Sequence, residues 1–327
     1  MTMSHAVSRT DPHTRPSGSP HQLAHEMPYH RLARRPPRYR WWRPLLALVT
    51  TAGVWAAMVL ALMVVLGIAA VVDPGLGVAV DEALAPDAPM DLHQPVTALL
   101  ALGMIAIALP AVLIGVRVGG WRAGLVSSVA GRFRWRLLVR CLAVAAALYA
   151  TVQGVGLFVE QPEGLADDIP GLAGEGLWML VMVVLVVPLQ ATAEEFLFRG
   201  LLMQSIGAWL RHPAWTILLP VPLFMIGHEY SWIGQIDIFV FAVAMGWLTW
   251  RTGGLEAAIG LHIVGNTFAF AAGAFGLADL NATEINPWAV AISVFVTLLY
   301  CAIVGQARRW WAADGAPSLD DPQTTDE

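Results

Sequence analysis

The chain has 327 residues, of which 57% are Ala, Val, Ile, Leu, Met, Phe, Trp, Tyr or Cys and only 13% are Asp, Glu, Lys or Arg, with a formal net charge of −5. Soluble domains carry about 25% charged residues, so most of this apolar surface needs lipid as its solvent. The balance excludes an intrinsically disordered chain, a collagen-like fibre, a disulfide-stapled miniprotein and a cytosolic dinucleotide-binding enzyme.

All 19 basic residues are Arg, a usage that suits a GC-rich bacterial genome. Residues Met1–Arg43 form a polar leader, predicted to be disordered. It has no apolar core ahead of a small-residue cleavage site, so it does not read as a cleaved signal peptide. Its cluster of Arg31, Arg34, Arg35, Arg38, Arg40 and Arg43, with Trp41 and Trp42, abuts the first apolar run. Basic and aromatic residues there anchor a helix end at an anionic inner leaflet. That reading is preferred to nucleic-acid binding, and no nucleic-acid partner is expected.

Apolar runs near the length of about 20 residues that a spanning helix needs follow in order. They are Leu45–Val72, Val96–Val116, Leu137–Val159, Leu177–Leu210, Ala214–Tyr230, Ile238–Trp250, Leu255–Phe275 and Trp288–Gln306. The fourth is long and the sixth short. Charge supports about eight spans with both termini inside. Arg117, Arg122, Arg132, Arg134, Arg136, Arg140, Arg211, Arg251, Arg308 and Arg309 fall on the side of the leader. The alternate segments hold Asp81, Glu82, Asp87, Asp91, Glu163, Asp167, Asp168, Asp279 and Glu284, and no Arg. The expected fold is an all-α polytopic membrane protein in a bacterial cytoplasmic membrane. Residues 44–176 supply its first three helices, and residues 308–327 an acidic cytoplasmic tail. Cys141 and Cys301 lie in apolar runs and read as small buried hydrophobes.

An ionisable side chain within a span is costly and points to function. Three spans concentrate such groups. The fourth carries Glu194, Glu195 and Arg199. Glu195 and Arg199 are four residues apart and share a helix face, so they read as an internal ion pair. Glu194 points about 100° away and stays free to act as a general base. The fifth carries Phe224 and His228, with Glu229 expected at an interface. The seventh carries His262 and Asn266, again four apart. These two read either as interhelical glue or as oxyanion donors. Gly260 and Gly265 leave room beside them for another helix or a peptide. HExxH and GxSxG motifs, a serine–lysine pair and a P-loop are all missing.

Glu194-Glu195-x-x-x-Arg199, Phe224-x-x-x-His228 and His262-x-x-x-Asn266, in this order and each in an apolar span, resemble the CPBP family. These are the CAAX prenyl protease and bacteriocin-processing intramembrane endopeptidases, also called Abi. The resemblance spans roughly residues 177–306 and implies a helical catalytic core there. By motif position Glu194 would activate water with His228, and His262 and Asn266 would bind the oxyanion or help hold a metal. Glu195, Arg199 and Phe224 would support them. Glu194, His228 and His262 would form a zinc-type set with an open position; the same residues can also act without metal. The implied partners are a membrane-associated peptide or protein substrate and the lipid bilayer. Glu256, a charge shortly before the third motif, departs from the family pattern and is expected at the cytoplasmic interface. A proton-coupled transporter and a non-catalytic scaffold or immunity protein are the alternatives.

One geometric difficulty follows from the spans as drawn. At 1.5 Å per residue, straight helices put Glu194 and His228 roughly 20–25 Å from the inner ends of their runs, and His262 roughly 10 Å. The motifs meet only if the fourth helix runs past the bilayer and Pro213 starts the fifth at depth.

Overall fold

The computed structural model describes residues 27–36, 39–85, 91–160, 178, 181–274 and 277–311. The leader before residue 27, Asp87, Glu163, Asp167, Asp168 and the tail from residue 312 lie outside the described residues. Among the described residues the chain is helical with no strand, and Ser128 and Gly254 form an isolated antiparallel bridge.

In chain order, α1 is Arg43–Val72, α2 Pro74–Ala83, α3 Pro95–Ala106, α4 Ala108–Val118, α5 Ala123–Ser127 and α6 Trp135–Glu160. A helical run over residues 181–209 follows. It contains a π turn at Met182–Val186, α7 at Val187–Glu195, a π segment at Phe196–Leu202 and α8 at Met203–Trp209. Then come α9 Pro213–Leu218, α10 Val221–Ile226, α11 Trp232–Thr252, α12 Glu256–Ala274, α13 Pro287–Gln306 and α14 Arg308–Trp311. Proline opens many of these helices, where its missing N–H costs nothing. Asp73 and Asn286 cap two of them through side-chain oxygens.

Six helices are long and apolar enough to cross a membrane: Arg43–Val72, Pro95–Val118, Trp135–Val159, Trp232–Thr252, Glu256–Ala274 and Pro287–Gln306. They match six of the eight apolar runs, and the protein is an all-α polytopic membrane protein. The fourth run is the helix over 181–209 that bears three charges. The fifth is the short pair α9–α10, broken at Leu219–Pro220.

The sixth run is longer than its apolar stretch. Gln235 and Asp237, read from sequence as part of a loop, lie inside α11. Gln235 is tolerated there because its amide donates to the carbonyls of Met225 and His228 at the end of the neighbouring short helix.

The core has two main parts. One joins α4, the π segment, α8 and the start of α12, and the other joins α6, α11, α12 and α13. Helix α12 belongs to both. It packs on α6, α7 and α11 and is the most buried of the six spans. Gly260 and Gly265 permit this closeness. A Cβ at Gly260 would stand 2.8 Å from the Cys141 Cβ, and one at Gly265 2.9 Å from the Tyr149 hydroxyl. The space beside the third motif is therefore filled by α6.

Two expectations are corrected. The leader is ordered where it meets the core. Tyr29–Arg34 forms a 3₁₀ turn with Tyr29, His30, Leu32 and Ala33 buried. The Tyr29 hydroxyl donates to the Val126 carbonyl, and His30 Nε2 lies 2.9 Å from the Arg211 carbonyl oxygen. Apolar side chains spaced within one turn give this segment a buried face, which overrides its polar composition. Glu256 is likewise not at an interface. It is fully buried and paired with Arg134 at 2.7 Å, and its other oxygen accepts the Arg134 backbone N–H at 2.8 Å. Arg134 also donates to the Thr252 carbonyl at 3.0 Å. The pair locks the start of α6 to the start of α12, next to Gly253, which ends α11 at φ 68°.

Breaking a buried ion pair strands one charge, at a cost of about 3–5 kcal/mol. Glu256→Ala is expected to lower the thermal midpoint in detergent sharply, and Arg134→Met with Glu256→Met to recover much of it. A small effect of Glu256→Ala alone would show that the pair does not hold these helices.

Burial holds the His30 imidazole down from an ordinary 6.5 to about 4, the Arg211 carbonyl opposing this only in part. The folded value lies below the unfolded one, so the unfolded segment takes up the proton first as pH falls. Docking of residues 27–36 is thus full above pH 6.5 and weakens progressively toward pH 4. Hydrogen exchange of this segment is expected to speed up over that window, and His30→Gln to remove the pH dependence.

Candidate active site

The site begins with a helix that is wider than an α-helix. The π segment Phe196–Leu202 starts directly after Glu195 and contains Arg199. Such segments concentrate at functional positions. Glu195 and Arg199 keep their pairing within it: Nη1 donates to Glu195 Oε1 at 2.9 Å. Both are buried, Glu195 at 0% and Arg199 at 4% exposure. Arg199 Nη2 donates to the Ala242 carbonyl on α11 at 3.3 Å, and the guanidinium lies 4.4 Å from the Phe224 ring centroid. The Phe198 and Phe241 rings stand at 6.0 Å each. A cation stacked on aromatic faces keeps part of what desolvation takes away.

The same Glu195 oxygen reaches a second partner. His262 Nδ1 lies 2.7 Å from Glu195 Oε1. An ionised carboxylate can only accept, so Nδ1–H donates to it. Nε2 faces Glu194 Oε2 at 3.4 Å. This oxygen of Glu194 is buried with no hydrogen-bond partner, as is Glu195 Oε2. Glu194 and His262 are only 8% and 3% exposed. One turn along, the Asn266 amide donates to Gln190 Oε1 at 3.1 Å.

The first and third motifs therefore meet directly, although straight spans drawn from the apolar runs kept them apart. The second motif arrives differently. Phe224 is buried and touches Arg199, while its ring centroid is 4.7 Å from that of His228 and 6.4 Å from that of His262. His228 is half-buried. Its Nδ1–H donates to the Phe224 carbonyl oxygen at 2.9 Å, one turn back. No hydrogen bond or ion pair joins His228 to Glu194.

Of the candidate set Glu194, His228 and His262, the first and last approach each other while His228 stands apart. Among the described residues no three His, Cys, Asp or Glu side chains are grouped to hold a metal. His262 spends Nδ1 on Glu195 and turns Nε2 to Glu194, and His228 is tied to the end of its own helix. As placed, these residues do not fit a three-ligand metal.

Two polar residues stand outside the motifs, Gln190 beside Asn266 and Asp237 elsewhere, on α11. Gln190 stands four residues before Glu194 on the same face, and that spacing was a usable signal. Asp237 has a buried oxygen without a hydrogen-bond partner, five residues inside α11. Its place at the edge of an apolar run hid it.

Residues 175–268 match the family described as type II CAAX prenyl endopeptidase, Rce1-like. The match takes in all three motifs, in agreement with the resemblance they carry. The chain is an integral membrane protein, and its residues 175–268 are similar to that CAAX-protease-type family. It is also similar to YyaK, an uncharacterized protein of Bacillus subtilis strain 168. The two are 26% identical over 236 residues, covering 69% of this chain and 76% of the relative. No solved structure matches the chain.

Removing Arg199 would leave Glu195 buried without a cation. Arg199→Met is expected to destabilise the protein by about 3–5 kcal/mol, and Arg199→Met with Glu195→Gln by much less. Thermal midpoints of the single and double variants in detergent measure this; equal midpoints for Arg199→Met and wild type would contradict the pairing.

Proposed function

We propose that the protein is an intramembrane endopeptidase that hydrolyses a peptide bond of a membrane-associated peptide or protein. The observation that carries this reading is His262, pinned by Glu195 through Nδ1 and turned by Nε2 toward the unpartnered oxygen of Glu194. A buried base without a hydrogen bond, beside an oriented imidazole, is a composite suited to activating water.

Water placed at Glu194 Oε2, with His228 Nε2 as a second acceptor at the half-buried rim, gives a proton to Glu194 as its oxygen attacks the substrate carbonyl. That proton passes through the Glu194–His262 pair to the leaving amine nitrogen as the C–N bond breaks. Glu195 orients His262 and stabilises its imidazolium form, as the carboxylate does in hydrolase triads. An N–H of Asn266 supplies charge stabilisation for the oxyanion. Arg199 offsets the charge of Glu195. The products are a carboxylic acid, which releases its remaining proton to solvent, and an amine, and no step needs a metal.

The setting is a bacterial cytoplasmic membrane with both termini inside, a reading supported by the distribution of Arg. The substrate then meets the site near the cytoplasmic leaflet. Partners are the substrate and the bilayer, without nucleic acid.

The test is proteolysis in detergent of membrane-proximal and C-terminal peptides. Wild type is expected to cleave, and Glu194→Gln and His262→Ala to lose at least about 100-fold in rate, with Glu194→Gln keeping the wild-type thermal midpoint. Cleavage is expected to survive chelation. Equal cleavage by all three proteins removes the assignment. Loss of cleavage on chelation, restored by stoichiometric zinc, would require His228 to join Glu194 and His262 as a ligand. Ion-coupled uptake lost in both variants, with no peptide ever cut, would favour a transporter.

A further inference from the structure

Helices α7 and α12 touch through two polar rungs one turn apart. Gln190 and Glu194 are four residues apart on α7, and His262 and Asn266 four apart on α12. Glu194 Oε2 faces His262 Nε2 at 3.4 Å, and Gln190 Oε1 accepts from Asn266 Nδ2 at 3.1 Å. Residues at this spacing project from one helix face, so both rungs lie along a single seam. Gln190 is 4% exposed, and Asn266 is partly buried.

A free carboxamide can present either its nitrogen or its oxygen to a given point by a half-turn of its terminal torsion. A second carboxamide paired with it restricts that freedom, because the two can reverse only together. With Gln190 Oε1 on one Asn266 N–H, the Asn266 nitrogen faces α7, and its second N–H remains for a ligand. Reversed, the amide would turn its carbonyl oxygen to the seam and repel an oxyanion formed on the Glu194 rung. Gln190 stands outside the three motifs and has no apolar role that Leu or Met would not fill better.

We propose that Gln190 is a positioning residue that selects the donor face of Asn266 for the developing oxyanion. The proposal rests on the peptidase reading above. Gln190 touches Asn266 and acts through it.

The test is a double-mutant cycle on the full-length protein in detergent, with a cleaved peptide as substrate. The variants are Gln190→Leu, Asn266→Ala and the two together. Gln190→Leu is expected to lower kcat by about 10-fold or more with KM within twofold, and to leave the thermal midpoint at or above that of wild type. The double variant is expected to match Asn266→Ala alone, because Gln190 has nothing left to orient. Gln190→Glu, which keeps an acceptor at Oε1, is expected to recover kcat relative to Gln190→Leu. Multiplicative losses in the double variant, or an unchanged kcat in Gln190→Leu, would overturn the proposal while Glu194→Gln stays inactive. Full activity of Glu194→Gln would instead bring down the peptidase site on which it rests.

Discussion

Everything at the centre of this protein turns on one oxygen atom. Glu195 Oε1 accepts from Arg199 within its own helix and from His262 on α12. A fully buried carboxylate is tolerated only when it is paired and hydrogen-bonded. Here the two partners come from different elements, so satisfying the charge also joins the helices. The joint fixes the rotation of the His262 ring, and the ring in turn sets what Glu194 faces. A charge that would be a liability in a span becomes the coordinate origin of the site.

The surrounding structure protects that arrangement from two sides. Arg199 sits among Phe198, Phe224 and Phe241, so the cation is held by ring faces in place of water. On the other side, α12 is kept in register by the buried Arg134–Glu256 pair and by the close approach of α6 at Gly260 and Gly265. These contacts do different work. The ion pair fixes where α12 starts, and the glycines fix how near α6 can lie. Together they leave His262 and Asn266 little freedom to slide along α7. A polar site within a membrane needs this rigidity, because its few polar groups have no solvent to compensate an error of position.

Much of this was legible beforehand. Hydropathy located the six spans that the structure contains, because length and apolarity are properties of local sequence. The i, i+4 spacings located the Glu195–Arg199 pair, because a helix face is also local. Gln190 had the same spacing to Glu194 and was overlooked only because no family motif includes it. Other features had no local signal. Arg134 and Glu256 are 122 residues apart, and each taken alone looks like a charge at a membrane interface. Docking of Tyr29–Arg34 depends on a surface supplied by residues near Val126 and Arg211.

The sequence by itself determined that the protein lives in lipid, which spans carry its costly charges, and which of those charges pair within a helix. It could not determine depth or partner choice across helices. Straight spans kept the first and third motifs apart, and motif position joined Glu194 to His228. The tertiary structure brought Glu194 to His262 and held His228 at the rim on the Phe224 carbonyl. The reason is physical. Helix propensity and hydropathy are set residue by residue along the chain. Which two buried polar groups meet is set by how helices widen, break and pack, here a π segment after Glu195, a break at Leu219–Pro220 and a pair of glycines against α6.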